Sequence, residues 1–186
     1  ASATGFYGDT GGRAATEADG PGAGFLADLA VDWEAAAAPA AQKSRVVFLR
    51  TAPVLAPRGG LLGRLRPLVK VGLGGRLGDG KQYLSWISLR DEVAAIEFLL
   101  SSPDLAGPVN LTAPIPVHFD EFIRTYGSVL HRPTRLPVPA AVLRTLGGDM
   151  AREMILGSSR VVPEVLTRAG FSFTDETLVD ALTWTR

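Results

Sequence analysis

Apolar positions recur along the chain with two different periods, and these periods predict its secondary structure. The run 45–50 is rich in β-branched and apolar residues, which is typical of a strand buried on both faces of a parallel sheet. Residues 25–38, 91–100 and 118–130 carry apolar side chains at helical spacing. A short strand is predicted at 108–111. Strands that alternate with helices in this way predict an α/β fold, with a mainly parallel sheet flanked by helices.

The character of the chain changes after residue 132, where prolines separate short apolar segments. We expect four short helices in this part, at 140–146, 151–156, 162–169 and 178–182. The pattern therefore divides the chain into an α/β part, residues 1–132, and a small helical lobe, residues 133–186.

Composition narrows the classes of partner. The chain has 19 Lys and Arg against 19 Asp and Glu, so its net charge is zero and it lacks the excess of cations that nucleic acids or anionic membranes attract. It has no cysteine and two histidines, His118 and His131, which alone cannot form a zinc site and are not expected to act as ligands or bases. No apolar run approaches the ~20 residues of a membrane span, and no signal-peptide pattern is present. We expect a cytoplasmic protein with a small-molecule partner and no metal, and the oligomeric state stays open.

The first residues and a glycine-rich stretch raise two further questions. Small residues lead into Phe6 and Tyr7 and then a Gly-Asp turn, which is typical of a buried strand, 1–6, that enters a loop. A chain that starts inside its own core is expected to be the C-terminal part of a longer protein. Five glycines between 72 and 80 suggest a phosphate cradle, but they precede a predicted strand at 82–88 and not a helix, so turns are favoured.

Several blocks, in order, resemble those of the extended short-chain dehydrogenases/reductases, the NAD-dependent epimerase/dehydratase superfamily. The blocks are SATGFYGD at 2–9, LRTAPVLAPRGG at 49–60, LGGRLGDGKQYLSWI at 73–87 and ILGSSRVVP at 155–163. The third and fourth are similar to the "epimerase family protein" group and its C-terminal domain of unknown function. The resemblance implies the C-terminal part of a Rossmann-like, doubly wound parallel sheet for 1–132 and that small domain for 133–186.

The resemblance also implies a site at the carboxyl ends of the strands. Its catalytic residues are Ser2 and Tyr7. If the register of the alignment shifts by one residue, Ala3 takes the place of Ser2. The cofactor is NADP or NAD, held in part by an N-terminal half outside this sequence. The cofactor-binding residues implied here are Ser2, Ala52, Pro53, Val54 and Leu55. The substrate-binding residues implied are Tyr7, Arg58 and Trp86.

The chain departs from the superfamily at the two residues that normally move the proton. The usual Tyr and Lys, four residues apart, align with Leu26 and Ala30 when Glu34 is matched to the Glu that follows them. Neither side chain can titrate, so standard hydride-transfer chemistry is in doubt. The arginine that holds a sugar-nucleotide diphosphate aligns with Leu84, which disfavours a nucleotide-sugar substrate. Three alternatives follow: an atypical oxidoreductase or epimerase of unknown substrate, a non-catalytic dinucleotide-binding sensor or scaffold, or an inactive fragment.

For most of these residues a structural interpretation stands beside the functional one. Tyr7 is alternatively an aromatic side chain that packs its loop. Arg50 is either half of a structural ion pair or a site residue. Arg58 is alternatively an ordinary surface residue. Trp33 and Trp86 are expected in the core or a pocket wall.

Overall fold

The structure is a computed structural model that describes residues 1–72, 74–134 and 157–186. Its strands are β1 (Ser2–Ala3), β2 (Val47–Thr51), β3 (Val54–Leu55), β4 (Tyr83–Leu84), β5 (Ile87–Ser88), β6 (Gly107–Leu111) and β7 (Val117–His118). Its α-helices are α1 (Phe25–Ala37), α2 (Gly60–Lys70), α3 (Leu89–Ser101), α4 (Phe119–Val129), α5 (Glu164–Arg168) and α6 (Leu178–Trp184). Two 3-10 helices, η1 (Thr4–Tyr7) and η2 (Ala38–Gln42), complete the described elements.

The centre of the fold is a parallel sheet in the order β1-β2-β6. The apolar strand β2 lies in the middle, which confirms both the α/β fold and the parallel sheet predicted from that run. Its residues Val47, Phe48 and Leu49 are only half-buried, so the predicted burial of this strand on both faces is incomplete. Its register places Arg50 opposite Ser2 on one side and opposite Asn110 on the other. Because side chains alternate across a strand, these residues share one sheet face, which α1 covers. Thr51 faces the opposite side, where α3 packs.

The predicted strand 82–88 is wrong as a single element, because the run changes sheets. Strand β4 pairs antiparallel with β7, whereas β5 pairs parallel with β3. Between them, the Ser85 hydroxyl donates to the Ser159 carbonyl at 2.8 Å and accepts the Val161 N–H at the same distance. These side-chain bonds replace a continuous ladder and redirect the chain.

Other predicted elements and positions differ from the structure by smaller amounts. The first strand comprises only β1, and η1 follows it where the sequence predicted extended chain to residue 6. Trp33 is 49 % exposed on α1, so its placement in the core was wrong. The predicted helices at 140–146 and 151–156 lie outside the described residues, and the division at 132/133 stays a prediction.

The C-terminal residues are held against the first turn of α3. The buried Asp91 carboxylate accepts the backbone N–H groups of Thr174 at 2.7 Å and Asp175 at 2.9 Å. Arg90 forms an ion pair with the buried Asp175 and lies over the ring of Trp184. These contacts join the end of the chain to the α/β part. Within the described residues, no helix has the length and apolarity that crossing a bilayer requires.

Candidate functional site

The three parallel strands end at one edge of the sheet, and this edge forms the candidate site. Strands β1, β2 and β6 end at Ala3, Thr51 and Leu111, and their register aligns these ends. In doubly wound folds, ligands bind in the crevice outside the carboxyl ends of such strands. Thr112 follows β6 at this edge, and its fully buried hydroxyl oxygen has no hydrogen-bond partner within the part of the chain that the structure describes.

A buried ion pair between α1 and β2 organises the α1 face of the sheet. Arg50 donates from Nε to Glu34 Oε1 at 2.8 Å and from Nη2 to Glu34 Oε2 at 2.9 Å. Both side chains are nearly buried, with exposed fractions of 5 % and 12 %. Two parallel hydrogen bonds between a guanidinium and a carboxylate are the geometry that suits a desolvated pair. Arg50 is therefore half of an ion pair, as one interpretation of the sequence predicted, although its acid lies on α1 and not in the sheet as expected.

Tyr7 is bonded on both sides of its hydroxyl. Arg50 Nη1 donates to the Tyr7 oxygen at 2.9 Å, and the Tyr7 O–H donates to Asn110 Oδ1 at 2.7 Å. The side chain is only 2 % exposed. Burial raises the pKa of Tyr7 above its ordinary value, although the hydrogen bond from Arg50 opposes that rise. The phenol thus stays protonated, and its single proton is directed at an acceptor inside the chain.

Ser2 joins the same set of residues through its own proton. Its hydroxyl donates to Glu34 Oε1 at 2.7 Å. Burial acts to raise the pKa of Glu34, but hydrogen bonds from Arg50 and Ser2 outweigh it and leave that pKa below its ordinary value. Glu34 is therefore an ionised acceptor, and the one O–H of Ser2 is committed to it. We call Ser2, Tyr7, Glu34, Arg50 and Asn110 the buried network.

Glu17 extends the network to the C-terminal part. Its Oε1 accepts the backbone N–H of Asn110 at 2.9 Å and that of Val165 at 3.3 Å. The Asn110 side chain also donates to the Val162 carbonyl at 3.0 Å. Sequence reasoning missed Asn110 and Glu17. A charged residue in an apolar strand predicts that Arg50 has a partner, but no comparable signal pointed to these two.

The remaining predicted residues lie apart from the network. Trp86 is fully buried, packs in the core and donates from Nε1 to the Ile115 carbonyl at 3.1 Å. Leu55 belongs to the same core cluster, whereas Arg58 is exposed. Ala52 is buried, and Pro53 and Val54 are half-buried along the strand edge. Of the three substrate candidates, Tyr7 alone belongs to the buried network.

On the opposite face of the sheet, Glu92 is a titratable group that the sequence did not single out. Thr51 donates its hydroxyl to Glu92 Oε1 at 3.0 Å. The second oxygen, Oε2, is buried and accepts no hydrogen bond within the described part of the chain. Burial raises the pKa of Glu92 to about 7, and the bond from Thr51 only partly offsets that effect.

Comparisons with known proteins find a matching family model and similar relatives. A family model described as a domain of unknown function (DUF1731) matches residues 138–185. The chain is 51 % identical over 183 residues to an epimerase family protein of Mycobacterium tuberculosis, with 98 % of the chain and 61 % of the relative covered. The chain thus spans about three fifths of the length of that relative.

Two solved structures are similar as well. The human epimerase family protein SDR39U1 (isoform 2), solved with NADPH, superposes with a TM-score of 0.92 at 28 % identity, covering 99 % of this chain and 63 % of that one. A nucleoside-diphosphate sugar epimerase from Corynebacterium glutamicum superposes with a TM-score of 0.75 at 32 % identity, covering 98 % of this chain and 36 % of that one. Both likenesses extend over almost the whole of this chain.

Proposed function

Because the chain is an epimerase-like region of the short-chain dehydrogenase/reductase type, we propose that it forms the nicotinamide side of an NAD(P)-binding, epimerase-like protein of unknown substrate. The similarity to a human relative solved with NADPH supports a nicotinamide dinucleotide, and we favour NADP for the same reason. The cytoplasmic location predicted from the sequence is part of this proposal.

The strand edge fits the nicotinamide end of such a cofactor. The edge holds the buried hydroxyl of Thr112, which has no partner among the described residues and is the kind of group that a ligand amide satisfies. The segment 52–55 follows β2 along the same edge, and half-buried Pro53 and Val54 supply a narrow wall. In this proposal these residues hold the ring. When bound, the nicotinamide donates or accepts a hydride.

Within this function, we assign Ser2 and Tyr7 to positioning and not to proton transfer. One observation carries the assignment: both hydroxyl protons are donated to acceptors inside the chain, Glu34 and Asn110. A general acid must direct its proton at the substrate, and Tyr7 is almost completely buried with its proton directed elsewhere. With Leu26 and Ala30 in place of the usual pair, this geometry favours dinucleotide binding without the standard chemistry.

The test uses the full-length product of the gene, with Tyr7→Phe as the variant and Tyr126→Phe, a change at a fully buried tyrosine of the core, as the matched control. NADPH binding is measured by the change in NADPH fluorescence. Turnover is measured as the rate of NADPH oxidation with a panel of carbonyl substrates. We expect the wild type to bind NADPH, and any turnover to be the same in Tyr7→Phe as in the control. A fall in turnover of about 10²–10⁴-fold in Tyr7→Phe, with NADPH binding intact, returns Tyr7 to the catalytic role. A wild type that binds neither NADPH nor NADH contradicts the proposed function itself.

A further inference from the structure

An open depression of about 460 Å³ lies between the loop after η1 and the loop before β4. Its lining residues are Asp9, Gly11, Gly12, Asp79, Lys81, Gln82, Tyr83, His118 and Ser158. None of the site residues predicted from the sequence is among them. The volume lies within the range of small-ligand pockets.

Hydrogen bonds between three chain segments hold the walls of this depression in place. The Ser158 hydroxyl donates to the Gly11 carbonyl at 2.6 Å and accepts the Tyr83 N–H at 3.0 Å. The Thr10 N–H donates to the Ser158 carbonyl at 2.8 Å. The depression is therefore preformed, and the single proton of Ser158 is already used.

Two contacts hold the His118 ring in one orientation at the wall of this depression. Its Nδ1 lies 2.6 Å from the Lys81 carbonyl oxygen. A carbonyl can only accept, so Nδ1 carries a proton, and in the neutral tautomer Nε2 is the nitrogen that can accept from a ligand. Stacking on Tyr83, with ring centroids 4.1 Å apart, fixes the ring further. His118 is thus an oriented hydrogen-bond acceptor.

The two carboxylates of the depression add further acceptors. Asp9 Oδ1 accepts the Gly11 N–H at 2.8 Å, and Asp79 Oδ1 accepts the Lys81 N–H at 2.9 Å. In the described part of the chain, Oδ2 of each aspartate accepts no hydrogen bond. The Lys81 ammonium is the one cation among the lining residues, and Arg160, which donates to the Gly12 carbonyl at 2.7 Å and lies over the Tyr83 ring, is a second cation beside them. These two cations balance the carboxylates of Asp9 and Asp79, so the depression offers no excess positive charge to hold a diphosphate.

We propose that this depression binds a hydroxyl-rich, unphosphorylated moiety, and that it is the substrate subsite of the function proposed above, on which this inference rests. Ligand hydroxyl groups donate to Asp9 Oδ2, Asp79 Oδ2 and His118 Nε2, and the Lys81 ammonium donates to a ligand oxygen. The pattern of three acceptors and one donor suits a sugar-like polyol. It does not form a metal site, since no three His, Asp, Glu or Cys side chains in the described ranges are grouped to hold an ion.

The experiment measures ligand binding by saturation-transfer NMR to the full-length gene product. The probes are free hexoses, pentoses and inositol, together with glucose 6-phosphate, UDP-glucose and glucosamine. We expect at least one neutral probe to bind, and to bind more tightly than the phosphorylated or cationic probes. Asp79→Asn and His118→Phe, which keeps the stacked ring, should each weaken that binding about tenfold or more. Asp104→Asn, an exposed aspartate that does not line the depression, should leave it unchanged.

Three results overturn the proposal: no neutral probe binds, a phosphorylated or cationic probe binds more tightly than the neutral ones, or Asp79→Asn and His118→Phe both leave binding unchanged. Circular dichroism of each variant shows whether it is folded, and Asp79 is exposed enough for its variant to keep the fold. NADPH binding is measured in the same samples. Lost sugar binding with intact NADPH binding concerns the subsite alone, whereas lost NADPH binding in the wild type concerns the proposed function.

Discussion

The buried network and the open depression come close along the chain only between Tyr7 and Asp9, and their polar groups are in opposite situations. In the network, Ser2 and Tyr7 each donate their single proton to an acceptor in the same chain. In the depression, Asp9 and Asp79 each use one oxygen internally and keep the other available. The hydroxyl groups of the two predicted catalytic residues therefore donate their protons inside the chain and not to a ligand. A candidate site is better identified by hydrogen-bond donors and acceptors that have no partner within the fold.

Burial explains why the two regions differ. A buried polar group without a partner costs free energy, so the network satisfies its charges and hydroxyl groups internally. An exposed carboxylate pays no such cost, because water serves as its partner until a ligand replaces it. Changes in the network should therefore affect stability, and changes in the depression should affect binding.

The largest expected effect is that of Arg50→Ala. The change leaves the nearly buried Glu34 carboxylate without its guanidinium, so the free energy of unfolding should fall by about 3–5 kcal/mol. Urea unfolding of the full-length product measures it. The double change of Arg50→Met and Glu34→Met should recover most of the loss, because it removes both buried charges.

Arg58→Ala is the matched control for that change, because Arg58 is an exposed arginine on a nearby loop. Its effect should stay within about 0.5 kcal/mol. If Arg50→Ala costs no more than Arg58→Ala, the network does not stabilise the fold and the contrast with the depression is lost.

Glu92 is an intermediate case, because one of its oxygens is bonded and the other is buried with no partner in the part of the chain that the structure describes. Its folded pKa of about 7 lies above the ordinary 4.5, so the folded protein keeps a proton that the unfolded chain has lost. Stability should therefore fall as pH rises from about 4.5 to about 7. Glu92→Gln should remove that fall and add about 1–2 kcal/mol at pH 8, a value reduced for the partial exposure of the side chain.

The measurement for Glu92 is the free energy of unfolding at a series of pH values for the wild type and for Glu92→Gln. Glu97→Gln, a change in the same helix, serves as the control. Parallel pH profiles for the wild type and Glu92→Gln would show that the carboxyl is not desolvated in the folded protein.

The smallest expected effect is that of Asp79→Asn on stability. The new amide oxygen can still accept the Lys81 N–H, and the side chain is exposed. The free energy of unfolding should change by less than about 0.5 kcal/mol. A loss comparable to that of Arg50→Ala would mean that the carboxylate is committed to the fold, and the two regions would no longer differ in kind.

The sequence alone determined the class of the fold and the departure from the superfamily's usual Tyr and Lys. The apolar run at 45–50 predicted a strand of a parallel sheet, because a strand covered on both faces needs apolar side chains at successive positions. The family resemblance placed Leu26 and Ala30 at the positions of the usual proton-transfer pair, and neither side chain can titrate. Both predictions rest on local patterns or single residues.

Only the tertiary structure decided which hydroxyl groups donate their protons inside the chain and which acceptor atoms remain open to a ligand. Tyr7 and its acceptor Asn110 are 103 residues apart, and the register between β2 and β6 places Asn110 beside Arg50. His118 gained its oriented nitrogen from a carbonyl 37 residues away. Apolar periodicity is written into neighbouring residues, but the partner of a hydrogen bond depends on which distant segments the packing brings within 3 Å or so, and no local pattern carries that information.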